Sequence, residues 1–345
     1  MSVPTWNRKI TLARRPIGAA ELDDFTLIEE PLREPADGEV AVRIELLSVD
    51  PYQRGRMNEG RSYTENLQLG DVIVAAAVGR VMASRSDRFS VGDHVLGYLG
   101  WQEYATVPGR ALTRLAADHV PVSAYLGVLG LPGVTAWMGM ELIGKPQPAE
   151  TVVVSAAAGA VGGIAGQLAK AAGARVVGIA GGPAKRAFLL DGLGFDAAVD
   201  YRDPQFEHRL AEATPDGIDV YFENVGGAVA RAALTRLNDF ARVPLCGLIA
   251  EYDTAVATTW DLSTLLARRV RVEGFICTDQ MKLWSRAVSE LTDLYRAGRL
   301  RYRESFAHGL QAAPRTLLGL LRGENLGKQL VSLTPEAPVP TEDSR

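Results

Sequence analysis

Residues with the spacing to do chemistry gather between Thr151 and Lys185, where the chain reads TVVVSAAAGAVGGIAGQLAKAAGARVVGIAGGPAK. Inside it, Ala157-x-Gly159-x-x-Gly162 separates an apolar run, Val152 to Val154, from a helical pattern. A second apolar run, Arg175 to Ala180, follows. Strand, small-residue turn, helix and strand in that order are what a dinucleotide-binding turn requires. A pyrophosphate needs close backbone N–H groups and the positive end of a helix dipole. Gly159 brings the backbone near the phosphates, and Gly162 lets the helix pack on the strand. Ala157 stands where the fingerprint has its first glycine, which a turn with φ < 0 accepts. The alternative is an ordinary Ala/Gly-rich helix start; a strand on each side favours the nucleotide.

The end of the second strand bears on which dinucleotide it is. NAD binders place Asp or Glu there for the ribose 2′-OH. Here the place falls near Gly181, in Gly181-Gly182-Pro183, without an acid, and Lys185-Arg186 follow. Cations beside an open turn suit a 2′-phosphate. Lysine is scarce, six of the 37 Lys and Arg, which singles out Lys185. A solvated charge pair on the next helix is the other reading. The expected cofactor is NADPH.

Positioning these residues takes a sheet. From about Tyr125 the pattern alternates, with strands expected at Ala197–Asp200, Ile218–Glu223, Val243–Gly247 and Val270–Phe275. Helices are expected between them, at Pro204–Ala213 and Ala228–Leu237. Such alternation predicts an α/β fold with a doubly wound parallel sheet. Residues 1 to about 125 read as β-rich, with alternation such as Val40 to Leu46 broken by turn clusters. Gln280 to Ala297 reads as one long amphipathic helix stopped by Gly298. Arg301 to Leu333 holds short β-like runs around a helix at Ala312–Leu321, and the final PEAPVPTEDSR reads as frayed. The expected organisation is a substrate domain from 1–125 and 300–345, with a nucleotide domain, 126–299, inserted into it. The active site is expected in the cleft between them.

Composition narrows the class. The 345 residues are 47% hydrophobic and 23% charged, as in a globular protein. A net charge of −4 speaks against a nucleic-acid footprint. No stretch offers the ~18 uninterrupted apolar residues of a membrane span, and the N-terminus lacks a secretory h-region. Two cysteines, Cys246 and Cys277, make no disulfide framework, and a cytoplasmic location is expected.

Further motifs run from end to end: Asn7-Arg8, Ala13-Arg14-Arg15-Pro16, Ser48-Val49-Asp50-Pro51-Tyr52-x-Arg54-Gly55 and Leu131-Pro132-Gly133-Val134-Thr135-Ala136. After the glycine turn come Asn224-Val225-Gly226-Gly227, Cys246-Gly247, Glu273-Gly274-Phe275 and Gly323-Glu324-Asn325-Leu326-Gly327-Lys328. With these the chain resembles the medium-chain dehydrogenase/reductase superfamily. It is most similar to the zinc-independent branch of leukotriene B4 dehydrogenases, prostaglandin reductases, alkenal double-bond reductases and curcumin reductases. The resemblance implies a GroES-like β-rich catalytic domain beside a Rossmann domain, a homodimer, and reduction of activated C=C bonds with NADPH. It places Gly159, Ala160 and Val161 at the pyrophosphate, and Lys185 and Tyr201 by the 2′-phosphate. Asn224, Cys246 and Asn325 would line the rest of the groove. The backbone of Phe275 to Cys277 would hold the carboxamide, and Thr135 would sit by the nicotinamide ribose.

Zinc members of the superfamily need three protein ligands. Here Asp50 stands at the first of those positions, Leu69-Gly70-Asp71 replaces the Gly-His-Glu segment, and His94, His119, His208 and His308 are isolated. Without a Lewis acid the expected chemistry is conjugate reduction: hydride to the β-carbon of an unsaturated ketone or aldehyde, then protonation of the α-carbon. Donors must stabilise the enolate oxygen. The cofactor ribose hydroxyl is one; a tyrosine, protonated at neutral pH, is the other. Tyr252 and Tyr52 rank ahead of Tyr63, and a core or rim aromatic is the alternative for each. Some relatives carry a tyrosine just after the segment equivalent to Gly274-Phe275; Cys277 to Met281 has none. A quinone oxidoreductase and a non-catalytic NADPH-binding sensor are the competing readings.

Overall fold

The computed structural model describes residues 5–60, 62–115, 120–254 and 257–334. Arg61, His119 and the PEAPVPTEDSR tail therefore lie outside the described residues. Within those described, one compact unit takes 5–126, 304–325 and 329–334, and a second takes 127–303 and 326–328.

The first unit opens with β1 (Trp6–Leu12), β2 (Phe25–Pro31), β3 (Glu39–Ser48), β4 (Ala76–Ser84), β5 (His94–Tyr98), β6 (Tyr104–Pro108) and β7 (Thr113–Arg114). The second holds β8 (Thr151–Val154), β9 (Arg175–Ile179), β10 (Ala197–Val199), β11 (Ile218–Phe222), β12 (Leu237–Leu245) and β13 (Arg271–Gly274). The last strands among the described residues are β14 (Glu304–His308) and β15 (Lys328–Ser332).

In the first unit β1 pairs antiparallel with β2, while β14, β15, β3, β4, β5 and β7 follow one another across a larger sheet and β6 pairs β3. Val40, Val42, Ile44 and Leu47 of β3 enter a core with Trp101, Ile73 and Val331. Trp101 stacks on Phe25 at 5.7 Å. The β-rich reading of this region follows from that alternation.

In the second unit the strands lie in the order β10-β9-β8-β11-β12-β13 and all pair parallel. Counted within the unit this is 3-2-1-4-5-6, the doubly wound order whose reversal point lies between its first and fourth strands. Here those are β8 and β11. All four residues of β8 are buried, as a strand covered on both faces must be.

Two expected elements differ. The helix expected to reach Leu237 ends at Leu234, and β12 begins at Leu237. Ile218 pairs Leu237 but Val220 already pairs Arg242, so the residues between loop out as a bulge. Phe240 sits there at φ 62 with the Arg269 guanidinium over its ring. The helix expected over Gln280–Ala297 is instead a 3₁₀ segment, Cys277–Leu283, broken at Gln280, followed by an α-helix at Trp284–Arg296.

Candidate active site

The small-residue turn follows β8 directly. Ala156 takes the left-handed conformation, φ 47, and Ala157 does not. Gly159 then caps the helix Ala160–Ala171 with an extended backbone and no side-chain cap. The first-turn N–H groups of Ala160, Val161 and Gly162 lack intrahelical acceptors, which is the arrangement an anion needs. A Cβ on Gly162 would lie 2.5 Å from the Ala156 carbonyl oxygen and 2.9 Å from the Ala157 Cα. Only glycine allows that helix so near the turn. Gly327 closes the turn from outside: its N–H donates to the Ala158 carbonyl at 2.8 Å and it bridges Gly159. Its φ is 70, and a Cβ there would run into the Arg303 carbonyl.

Beyond β9, Gly181 and Gly182 form an open bend. The Asp200 carboxylate accepts from Gly182 N at 2.8 Å and from Arg202 N at 2.9 Å, so the nearby acid is engaged by backbone. A Cβ on Gly181 would come within 2.8 Å of Tyr201 and Arg202 side-chain atoms. The Arg202 guanidinium lies over the Tyr201 ring, 5.5 Å from its centroid. Burial, then the charge of Arg202, lower the pKa of half-buried Lys185. Lys185, Tyr201, Gly181 and Arg202 thus converge. Arg186, read in sequence as the second cation, instead donates to the Ala198 carbonyl at 3.1 Å. Arg202 was not foreseen; its position after the short β10 was the available signal.

On the other side of β8 a denser network stands. Ser155 Oγ donates to the Glu223 carboxylate at 2.8 Å and accepts from Asn224 N at 2.7 Å. Asn224 Nδ2 donates to the Ser155 carbonyl at 2.7 Å. Cys246 N and Gly247 N donate to the Glu223 carbonyl at 2.9 and 3.2 Å. Burial raises the Cys246 thiol to about 12, helped by Cys277 and Glu223. Burial raises Cys277 too, against a hydrogen bond with Thr135. Thr135, Cys277, Cys246 and Asn224 therefore share one neighbourhood at the carboxyl edge of the sheet. The Phe275 ring lies edge-on to that of Phe222, at 6.4 Å. Tyr252 follows the one-turn helix Ile249–Glu251, and its hydroxyl would lie 4.0 Å from a Cβ on Gly247.

The remaining candidates belong to the first unit. Tyr52 opens the short helix Tyr52–Gly55. Its hydroxyl is wholly buried with no hydrogen-bond partner among the described residues. Burial, then Asp50 and Tyr98, raise the phenol well above its ordinary range, so it stays a proton donor. Tyr63 also acts on it and is exposed. Tyr98, at the end of β5, was not foreseen. Asp50 is buried and accepts from the Ser48 hydroxyl, while its N–H donates to Gln53 at 3.0 Å. Asn325 falls in the first unit as well, two residues before the Gly327 that closes the glycine turn.

This arrangement fits a dinucleotide: an uncapped helix start, a turn held so close to the helix that a Cβ on Gly162 would crowd it, cations at one end and a hydrogen-bonded crevice at the other. Residues 8–115 match a family model described as the N-terminal domain of oxidoreductase, and residues 160–293 one described as zinc-binding dehydrogenase. NADPH-dependent curcumin reductase of Escherichia coli is 42% identical over 94% of this chain and 96% of its own length. NADP(+)-dependent 2-alkenal reductase of Nicotiana tabacum is 40% identical over 86% of this chain and 88% of its own. The crystal structure of CurA from Vibrio vulnificus in complex with NADPH superposes with a TM-score of 0.91 at 41% identity, covering 95% and 99% of the two chains. The metal in the second description does not fit here. Among the described residues no three His, Cys, Asp or Glu side chains form a group that could hold a metal ion, and Asp50 accepts from Ser48. His94 faces Glu45 and His208 faces Glu212. The chain belongs to the medium-chain dehydrogenase/reductase superfamily, in the branch of the curcumin and 2-alkenal reductases.

Proposed function

We propose that the protein catalyses NADPH-dependent reduction of the C=C bond of α,β-unsaturated ketones and aldehydes. Bound NADPH supplies the hydride. The chain binds it through the first-turn N–H groups of Ala160 to Gly162, holds the 2′-phosphate with Lys185, Tyr201 and Arg202, and lines the nicotinamide half with Thr135, Asn224, Cys246 and the backbone at Phe275 to Cys277. Asn325 lines the same groove. The observation that carries the cofactor choice is the Gly181 bend: its neighbouring acid is tied to backbone and two cations stand beside it. The curcumin and 2-alkenal reductase activities of the two relatives support the reaction class.

A hydride delivered to the β-carbon leaves negative charge on the carbonyl oxygen, and preorganised donors there supply most of the rate. Tyr52 and Tyr252 are the proposed donors, with Tyr63 at the rim. A buried phenol with no partner is costly unless something arrives to accept its proton. Tyr52→Phe is expected to lower kcat by about a hundredfold.

A homodimer is proposed too. Leu262 and Leu266 are 73% and 80% exposed on the short helix Leu262–Ala267, near the edge strand β13. Light scattering at two protein concentrations tests it; a mass of one chain at both would refute it.

The reaction is tested by following NADPH oxidation against linear alkenals, alkenones, a cyclic enone, a benzylideneacetone and a quinone, with product analysis. Saturated carbonyl product is expected. Turnover with the quinone alone would overturn the reading.

A further inference from the structure

Glu223 is fully buried at the carboxyl end of β11, beside the reversal point of the sheet. Its donors among the described residues are all neutral. One carboxylate oxygen accepts from Ser155 Oγ at 2.8 Å, Val225 N at 2.5 Å and Gly226 N at 3.1 Å; the other accepts from the Tyr221 hydroxyl at 2.8 Å. A carboxylate buried without a cation is an expensive way to fill space. What it secures is the turn Asn224–Gly226, whose N–H groups point at it or at Ser155.

That turn carries the next segment. Its outward carbonyls accept from Ile249 N, onto Asn224 at 3.2 Å, and Ala250 N, onto Val225 at 2.9 Å. These residues begin the one-turn helix that Tyr252 caps at its C-terminus. A second tie runs from Gly227 N to Thr258 Oγ1 at 2.7 Å, and from Thr258 N to the Glu251 carboxylate at 2.8 Å. The carbonyl of Glu223 holds Cys246 and Gly247.

We infer that Glu223 is a positioning residue: through its four hydrogen bonds it sets the Asn224–Gly226 turn, and through that turn it aligns Tyr252 and the nicotinamide side of the crevice. The inference rests on the NADPH reading above. It requires the two ends of the cofactor to respond differently to loss of the carboxylate.

The test compares NADPH with adenosine 2′,5′-bisphosphate, which has the 2′-phosphate and no nicotinamide. Glu223→Ala is expected to weaken NADPH binding and lower kcat by about tenfold or more each, and to leave adenosine bisphosphate affinity within about twofold. Glu223→Gln keeps one oxygen for Val225, Gly226 and Ser155 and offers its amide to the Tyr221 hydroxyl, so it should restore both parameters to within about threefold. Tyr252→Phe should cost less in the Glu223→Ala background than alone, as coupled positions do. Equal loss of both ligands, or none, would overturn the inference. If Glu223→Ala does not fold, Ser155→Ala removes the acceptor of Asn224 N–H and must give the same split. A wild-type protein that binds neither ligand would instead refute the cofactor reading, and the inference with it.

Discussion

The two ends of the crevice flanking β8 are built on different physics. Toward β9 and β10, the proposed 2′-phosphate end is half open: Tyr201 is 41% exposed and Arg202 lies over its ring in contact with water. Toward β11 and β12, Ser155 and Glu223 are entirely buried and are tied by hydrogen bonds from uncharged side-chain and backbone donors. A phosphate can be held by screened charges that adjust to it. A reacting carbon has to be held within a fraction of an ångström, which flexible cations on a surface do not provide. The open end is thus suited to affinity and cofactor choice, and the buried end to rate.

Gly162→Val attacks the point where both ends meet. Its side chain would push on the backbone of Ala156 and Ala157, and NADPH affinity should fall by about a hundredfold or more, with a melting temperature several degrees lower. Titration and thermal unfolding check both; a variant that binds normally would show the turn is not the cofactor's seat. Tyr252→Phe sharpens the contrast at the buried end: kcat should drop by about a hundredfold while the KM for NADPH moves little. At the open end the order reverses. Lys185→Ala and Arg202→Ala should each raise the KM for NADPH by about tenfold, leave kcat nearly alone and leave NADH unaffected. Equal effects on NADPH and NADH would break the assignment.

Ionic strength gives a smaller effect of the same kind. More salt should raise the KM for NADPH in the wild type by a few-fold, and less in the Lys185→Ala protein. Alkali should act here as well, because burial and Arg202 hold Lys185 below its ordinary value of 10.5, so the KM climbs as that amine loses its proton. The smallest response is expected from the thiols. Cys246, raised to about 12, should resist alkylation in the folded protein at mildly alkaline pH. Its folded pKa exceeds the ordinary 9.0, so the folded state holds the proton more tightly. Its contribution to stability is intact below about 9 and declines as pH rises toward about 12.

What could be read in advance was local. The Gly159 turn declares itself because a buried strand, small residues and a helix follow one another without interruption. The doubly wound alternation is legible for the same reason. Arg202 escaped because the bend at Gly181 and the loop after β10 meet only in the folded sheet. Glu223 escaped because an acid closing the expected strand Ile218–Glu223 gives no sign in the sequence that its carboxylate is buried. The break at Gln280 was hidden because the stretch to Ala297 keeps the pattern of a single amphipathic helix, and the bulge at Phe240 because it is set by the pairing of β12 with β11. Tyr98 reads as an ordinary strand residue, and only the fold sets it near Tyr52.

The central claim is hydride delivery to the β-carbon of an enone. Reduction of a simple alkenone with NADPH deuterated at C4, on the face the enzyme transfers, tests it most directly by NMR of the product. A saturated ketone carrying deuterium on the β-carbon is expected. Deuterium on the carbonyl carbon of an allylic alcohol would contradict it.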